Sequence, residues 1–181
     1  MKYSITTLGC KVNQYETQAM ETMLRQLGYS PVREDDGGAD VVIVNTCAVT
    51  AESGRKSRQA VRRLKNQNPG AVVVVCGCFS QVSPQEAYRL GADIVYGSGD
   101  RKKLVEEIDR LVRERKGGLG AGNAQVCVVD NPFKRVSFVK LPAGSVYGRT
   151  RAMLKIQDGC DNFCTYCVIP YARGRVLSLP V

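Results

Sequence analysis

The feature that most constrains the fold is a regular alternation of short apolar runs with amphipathic stretches over the first part of the chain. This alternation predicts β-α-β units, in which each apolar run is a strand and each amphipathic stretch is a helix that crosses back over the sheet. We therefore expect an α/β fold, an open parallel sheet with helices on both faces. The predicted strands lie at residues 3–8, 41–44, 72–75 and 94–96, and the last predicted helix lies at residues 100–115.

The predicted helices carry signals for their faces and ends. The first ends at Gly28, which reads as a C′ residue. Ser83 and Glu86 read as the N-cap and the capping-box glutamate of a later helix. The residues expected to face inward are Tyr15, Ala19, Met20, Met23, Leu24 and Leu27 in the first helix and Ser57, Ala60, Val61 and Leu64 in the second.

The chain divides into three segments. Residues 1–116 hold the alternating pattern, and a glycine-rich stretch opens a linker at residues 117–150. Residues 151–181 begin a second domain. Short strands are predicted from β-branched content at 126–129 and 136–139, and residues 152–157 are predicted to form the opening strand of the second domain.

Charge and cysteine content narrow the possible functions. The formal net charge of +9 favours an anionic partner such as nucleic acid, although solvated lysines and arginines give the same total. No run approaches the roughly 20 apolar residues that cross a bilayer, so we expect a cytoplasmic protein without a membrane partner. The eight cysteines suit metal binding better than disulfides, because nothing signals export. The chain has no histidine, so its chemistry must come from thiolates or a cofactor.

Three cysteines share one tight loop with the spacing C-x₃-C-x₂-C, at the end of the strand predicted to open the second domain. They are Cys160, Cys164 and Cys167. Three protein ligands leave the fourth iron of a [4Fe–4S] cluster open to an external ligand, whereas four cysteines close the site. The alternative is a structural zinc site, in which Cys164 and Cys167 form one C-x₂-C half. Cys76 and Cys78 are the only other close pair of cysteines, and their spacing is shorter than is usual for zinc.

A second group of three cysteines is dispersed, and each member follows one of the first three predicted strands. These cysteines are Cys10, Cys47 and Cys78. The carboxyl ends of parallel strands meet at one edge of a sheet, where ligands bind. Three thiolates at this edge suit a second cluster with an open iron. The two remaining cysteines, Cys76 and Cys127, are expected to be small buried hydrophobes within strands.

Local sequence motifs resemble known proteins over essentially the whole chain. The loop from Cys160 to Cys167 resembles the radical S-adenosylmethionine (radical-SAM) superfamily. The segment from Arg151 to Gly174 looks most like the branch of the methylthiotransferases that acts on threonylcarbamoyladenosine in tRNA. The motifs that resemble the N-terminal domain of the methylthiotransferases are Gly9-Cys10-Lys11-Val12-Asn13, Asn45-Thr46-Cys47 and Gly77-Cys78.

This resemblance implies two [4Fe–4S] clusters and S-adenosyl-L-methionine as cofactors, with Tyr166 packed near the adenine. For Tyr166 itself, core packing is the alternative. The implied reaction uses a radical cleaved from S-adenosylmethionine to insert sulfur at C2 of N6-threonylcarbamoyladenosine next to the anticodon, followed by methylation. The implied partners are the tRNA anticodon stem-loop and an electron donor such as a flavodoxin or ferredoxin. Because the chain holds only the start of a truncated radical-SAM barrel, we expect it to be inactive alone.

The helix predicted after Cys47 is strongly basic. Four of its residues share a face suited to RNA phosphates, although a solvated face explains the same pattern. A rival to the enzyme remains open, namely a non-catalytic cysteine-rich module that binds RNA and holds zinc or a structural cluster. The four basic residues are Arg55, Arg58, Arg62 and Lys65.

Overall fold

A computed structural model describes residues 1–34, 36–118, 125–142 and 152–180. The strands are β1 (Lys2–Thr7), β2 (Ser30–Pro31), β3 (Val41–Thr46), β4 (Val72–Gly77), β5 (Ile94–Tyr96), β6 (Val126–Val128), β7 (Gln157–Asp158) and β8 (Leu177–Ser178). The helices are α1 (Lys11–Gln26), α2 (Ala51–Gln67), α3 (Cys78–Val82), α4 (Pro84–Arg89), α5 (Arg101–Lys116) and α6 (Ile169–Arg173), with a 3₁₀ turn at Pro132–Lys134.

Six of the described strands form one parallel sheet in the order β2-β1-β3-β4-β5-β6, and β7 pairs with β8 in a separate antiparallel ribbon. The central strands β3 and β4 are buried along their whole length, because helices cover both faces of the sheet. On one side, Ile43 packs in a core with Leu24 of α1 and Ile108 of α5. On the other, Val44 packs with Val61 of α2. The predicted α/β fold is therefore confirmed.

The predicted inward faces of the first two helices are largely confirmed. In α2 all four inward residues are buried. In α1, Met23 is only partly buried and Leu27 is 38% exposed, because the helix ends at Gln26. Gly28 follows with a φ of 84°, the left-handed conformation expected of a C′ residue.

The capping box predicted before α4 is wrong in its side chains. Ser83 precedes the helix without a side-chain hydrogen bond to it. The Glu86 carboxylate pairs instead with Arg58 of α2, at 3.3 Å. The helix nevertheless starts as expected, with Pro84 as its first residue, because a proline there forfeits no hydrogen bond.

The short strands predicted after residue 125 lie differently from expectation. Val126–Val128 is a strand, but it pairs in parallel with β5 and extends the main sheet. Residues 136–139 form no strand, and Val136 is 90% exposed, because β-branched content alone does not provide a neighbouring strand to bond with. In the stretch 152–157 only Gln157 is in a strand, because its partner β8 has two residues.

The three-segment division stays a prediction, and much of the expected linker, at 119–124 and 143–150, lies outside the described residues. Among the helices of the described part, none is both long and apolar enough to cross a membrane.

Candidate metal centre

Three of the predicted ligands lie where neighbouring strands end. Cys10 follows β1 and is the N-cap residue of α1, Cys47 directly follows β3, and Cys78 directly follows β4 as the first residue of α3. β1, β3 and β4 are adjacent, with their carboxyl ends in register. The structure thus brings this group, here called the edge cysteines, to one edge of the sheet, as predicted. Their role as metal ligands stays a prediction.

Two glycines allow the loops of this edge to approach each other closely. Gly9 has a φ of 110°, and a Cβ there would lie 2.8 Å from the Cβ and 3.0 Å from the Sγ of Cys47. Gly77 has a φ of 102°, and a Cβ there would lie 2.5 Å from the carbonyl oxygen of Thr46. A side chain at either position would push the strand ends apart, so both positions require glycine.

The side chain of Asn13 ties two of these strand ends together. It is completely buried, and its Nδ2 donates hydrogen bonds to the carbonyl oxygens of Leu8, at 2.8 Å, and Thr46, at 2.9 Å. Its Oδ1 accepts a longer contact of 3.7 Å from the thiol of Cys10. Asn13 therefore holds the backbone just before two of the edge cysteines.

A buried polar atom without a partner lies at the same edge. Asn45 donates from Nδ2 to the carbonyl oxygen of Asn13, at 3.0 Å, and to Thr17, at 3.2 Å. Its Oδ1 is the one buried side-chain oxygen or nitrogen in the described residues that has no hydrogen-bond partner. Such an atom costs about 1–3 kcal/mol, and its presence is typical of a functional site.

The environments of two neighbouring thiols differ. Burial raises the pKa of the Cys78 thiol, and the nearby guanidinium of Arg173 partly offsets that rise. Cys76 lies in the apolar core with residues of α1 and α5, and burial raises the pKa of its thiol to about 11. Cys76 thus behaves as the small buried hydrophobe that was predicted.

No group of three or more Cys, Asp or Glu side chains in the described residues lies close enough together to hold a metal ion. The edge cysteines nevertheless fit a cluster by type and placement. Thiolates are the usual ligands of iron–sulfur clusters, and the glycines keep Cβ atoms out of the space between the strand ends. The residues present therefore fit the group that the resemblance implies.

The second cysteine group lies on the loop between β7 and α6. Cys160 and Cys167 are partly exposed and Cys164 is exposed. The loop is held by a hydrogen bond from the Cys160 backbone to the carbonyl oxygen of Gly174, at 3.1 Å, and by a turn from Cys167 to Cys164, at 2.9 Å. All three cysteines of the loop are therefore at least partly accessible from solvent. Their assignment as ligands stays a prediction as well.

Tyr166 lies on this loop with 90% of its surface exposed. Its ring therefore packs in no core formed by the described residues, and the core-packing alternative stays a prediction. A nearby aromatic group does pack together: the rings of Phe133 and Phe163 stack at 6.0 Å, and Tyr171 meets Phe133 edge-on at 5.9 Å. Tyr166 remains free to contact a ligand, and its place beside an adenine stays a prediction.

A buried ionic network connects the two cysteine groups, and sequence analysis did not find it. Glu16 of α1 pairs with Arg101 of α5 at 3.0 Å, with Arg173 at 2.7 Å and with Lys155 at 3.3 Å. Asp158 of β7 also binds Arg173, at 3.1 Å. The only signal of this network in the sequence was Glu16, a charged residue beside the apolar face of α1. Its partners could not be identified, because they are far away in the sequence.

A family model described as "Uncharacterized protein family UPF0004" matches residues 2–97, which include all three edge cysteines. The chain belongs to this family. The UPF0004 match covers β1 to β5 and stops before the loop of Cys160.

Relatives of this UPF0004 chain carry assigned activities. A threonylcarbamoyladenosine tRNA methylthiotransferase of Bacillus subtilis is 44% identical over 95% of this chain and 36% of the relative. The enzyme of that name in Thermotoga maritima is 43% identical over 98% of this chain and 38% of the relative. A tRNA-2-methylthio-N(6)-dimethylallyladenosine synthase of Wolbachia pipientis is 36% identical over 98% of this chain and 39% of the relative. The resemblance to methylthiotransferases is confirmed, and the chain spans less than half of these relatives.

Two further predictions about this UPF0004 chain meet the structure differently. Cys127 was expected to be buried, but it is exposed, because β6 is the edge strand of the sheet. On α2, the basic face is partly neutralised: Arg55 pairs with Glu52 at 2.6 Å, and Lys65 donates to the carbonyl oxygen of Gly91 at 3.0 Å. The RNA hypothesis for this helix is left untested.

Proposed function

We propose that this chain is the front part of a tRNA methylthiotransferase that acts on N6-threonylcarbamoyladenosine next to the anticodon, inserting sulfur at C2 and methylating it. The observation that carries the proposal is the placement of Cys10, Cys47 and Cys78 at the carboxyl ends of three neighbouring parallel strands. The names of the relatives support the reaction class, and the threonylcarbamoyl branch is supported by the relatives from Bacillus and Thermotoga.

The loop of Cys160, Cys164 and Cys167 would hold a [4Fe–4S] cluster with one iron left for S-adenosyl-L-methionine. When bound, this pair supplies the radical chemistry that attacks an adenine C–H bond, which acid–base side chains do not break. The side chains of the protein would position the reacting groups. The exposed ring of Tyr166 offers an apolar face on which an adenine stacks.

The edge cysteines would hold the second [4Fe–4S] cluster, on the sulfur-delivering side of the reaction. Asn13 orients the backbone before Cys10 and Cys47, and the two glycines leave room between the strand ends. Cys76, directly before Gly77, lies in the apolar core and not among the edge cysteines, so it would not compete for iron. Of the two thiols on either side of Gly77, Cys78 would therefore be a ligand and Cys76 would be structural.

The partners follow from the chemistry. The substrate is the anticodon stem-loop of a tRNA, and the formal charge of +9 favours its phosphates. A one-electron donor such as a flavodoxin or ferredoxin would reduce the cluster of the Cys160 loop. Such a reaction takes place in the cytoplasm, where tRNA is modified.

Anaerobic reconstitution with iron and sulfide tests the proposal. We expect two [4Fe–4S] clusters in the wild-type chain and one in the triple variant Cys160/Cys164/Cys167→Ala, because the two groups lie on separate elements. The matched triple variant Cys10/Cys47/Cys78→Ala should keep the other cluster. Iron, labile sulfide and the visible spectrum are measured on all three proteins. A colourless protein with stoichiometric zinc after anaerobic purification would instead contradict the proposal and favour the rival, a non-catalytic RNA-binding module with a structural zinc site.

A further inference from the structure

Arg173 is the last residue of α6 and is buried between the two cysteine groups. Its Nη1 donates to Glu16 at 2.7 Å and to Asp158 at 3.1 Å. Its Nη2 donates to Oδ1 of Asn13 at 2.7 Å. The terminal nitrogens of one guanidinium thus bind side chains of different elements. The single ammonium group of a lysine does not reproduce this geometry.

On the side of the edge cysteines, the contact with Asn13 reaches the strand ends in one step. The Nδ2 of that asparagine binds the carbonyl oxygens of Leu8 and Thr46. Thr46 directly precedes Cys47, and Leu8 lies two residues before Cys10. The guanidinium is also near enough to the thiol of Cys78 to lower its pKa against the effect of burial. Arg173 therefore lies near Cys78 and is linked through Asn13 to the strand ends before Cys10 and Cys47.

Arg173 is connected to the Cys160 loop as directly as it is to the edge cysteines. Asp158, which accepts its hydrogen bonds, lies two residues before Cys160. The next residue, Gly174, accepts a backbone hydrogen bond of 3.1 Å from Cys160. At Gly174 the φ is 86° and a Cβ would lie 2.3 Å from the carbonyl oxygen of Pro132, so the chain after Arg173 is tightly seated.

We propose that Arg173 is a positioning residue that fixes the edge cysteines and the Cys160 loop relative to each other. The contacts of Arg173 are features of the protein itself. Their consequence, a constant path between the two clusters, rests on the proposed function. Glu16 and Asp158 carry two negative charges against the three positive charges of this network, so Arg173 also leaves net positive charge beside Cys78. A cation beside a cluster favours its reduced state.

The first measurement needs no metal. Iodoacetamide labelling of the metal-free protein, followed by mass spectrometry of peptides, gives a modification rate for each cysteine. We expect Arg173→Lys, which keeps the positive charge beside the Cys78 thiol but cannot bind Glu16 and Asn13 together, to raise the rate at Cys78 about tenfold, the factor that corresponds to one lost charge-assisted hydrogen bond. The matched control is Arg175→Lys: the exposed side chain of Arg175 pairs with Asp161 at 3.8 Å and lies over the ring of Phe163 at 5.7 Å, and neither partner is an edge cysteine. It should label like the wild type.

Cys76 reports whether the core stays folded, because it is completely buried in the same sheet. If Arg173→Lys also exposes Cys76, the rates at the two thiols are compared in the same protein. A larger rise at Cys78 than at Cys76, relative to the wild type, supports the proposal. Unchanged labelling of Cys78, or an equal rise at both thiols, overturns it.

The second measurement uses the cluster of the edge cysteines alone, in the Cys160/Cys164/Cys167→Ala background. We expect Arg173→Gln to bind iron normally and to shift the midpoint potential to more negative values, while Arg175→Gln leaves the potential unchanged. An unchanged potential in a protein that binds iron contradicts the role of Arg173. Failure of every variant to bind iron contradicts the proposed function instead, and the labelling result then still decides on Arg173.

Discussion

Glu16 and Arg101 form an ion pair of 3.0 Å although their side chains are only 2% and 1% exposed. The pair joins α1 to α5 across the end of the sheet, and Arg101 also donates to the carbonyl oxygen of Gly97 at 2.8 Å. Withdrawing both charges from water is costly, so such a pair persists only where further bonds satisfy it. Here Lys155 and Arg173 supply those bonds to the carboxylate.

Replacement of Glu16 by glutamine should destabilise the protein strongly. The change leaves buried cations without their counter-charge, and we expect a loss of about 3–5 kcal/mol in the free energy of unfolding. The control is Glu114→Gln, which removes an exposed pair with Arg110 and should cost about 0.5 kcal/mol or less. Urea unfolding followed by circular dichroism measures both. Equal losses in the two variants would show that the network contributes nothing beyond a surface pair.

The same carboxylate predicts a dependence of stability on pH. Burial alone would raise the pKa of Glu16. Its cationic neighbours, first of all Arg173 and Arg101, lower the pKa by more than burial raises it, so that it lies well below its ordinary value of 4.5. A folded-state pKa below the unfolded value contributes stability that is fully present above the unfolded pKa and is lost as the pH falls through the folded one. The stability difference between wild type and Glu16→Gln should therefore be constant near neutral pH and shrink below about pH 4.5. A difference that does not change in acid would contradict this assignment.

Substitution of Gly77 by alanine should be far more harmful than the same change at Gly70. Both glycines have a positive φ, of 102° and 91°, but a Cβ at Gly77 would meet Thr46 while one at Gly70 would meet nothing within 4 Å. We expect a loss of about 1 kcal/mol for Gly70→Ala and of at least about 3 kcal/mol for Gly77→Ala. Thermal unfolding gives both values, and similar losses would mean that the strand ends yield to the extra methyl group.

The adjacent thiols of β4 and α3 should respond in opposite ways to truncation. Cys78→Ala removes an edge cysteine and should abolish the cluster there, whereas Cys76→Ala should keep it and lose about 1 kcal/mol of stability. The reason is position: Cys76 points into the core, and Cys78 lies beyond the turn at Gly77. Iron content is measured in the background that lacks the Cys160 loop thiols. Retained iron in Cys78→Ala would mean that another residue is the ligand.

Charge reversal on α2 tests the RNA hypothesis at its best-suited residue. Arg62 is exposed, and no carboxylate of the described residues pairs with it, whereas Arg58 pairs with Glu86. We expect Arg62→Glu to weaken tRNA binding and to make its salt dependence shallower by about one in the logarithmic slope. Arg110→Glu, on the distant helix α5, is the control. An unchanged slope would identify the basic face of α2 as merely solvated.

The sheet and its edge cysteines could be predicted because their signals are local. An apolar run of strand length such as 72–75 identifies a buried parallel strand, and the glycine after it marks where the chain turns. The topological rule for parallel sheets then places Cys10, Cys47 and Cys78 at one edge without any knowledge of their contacts.

The ionic network could not be predicted, because its members are separated by long stretches of chain and share no periodicity. Glu16 lies 85 residues before Arg101 and 157 before Arg173. The exposure of Cys127 was missed for a related reason: the composition of a strand does not reveal whether it is central or at the edge. Both facts depend on which segments become neighbours.

The distances along the chain in this network also set an order of events during synthesis. Asn13 and Glu16 leave the ribosome early, but their last partner, Arg173, emerges about 160 residues later. Until then the buried carboxylate and the buried amide of α1, at the carboxyl edge of the N-terminal sheet, lack part of their bonding, and such groups resist final packing. We therefore expect the nascent chain to hold this edge open, and to close it only when the Cys160 loop has been translated.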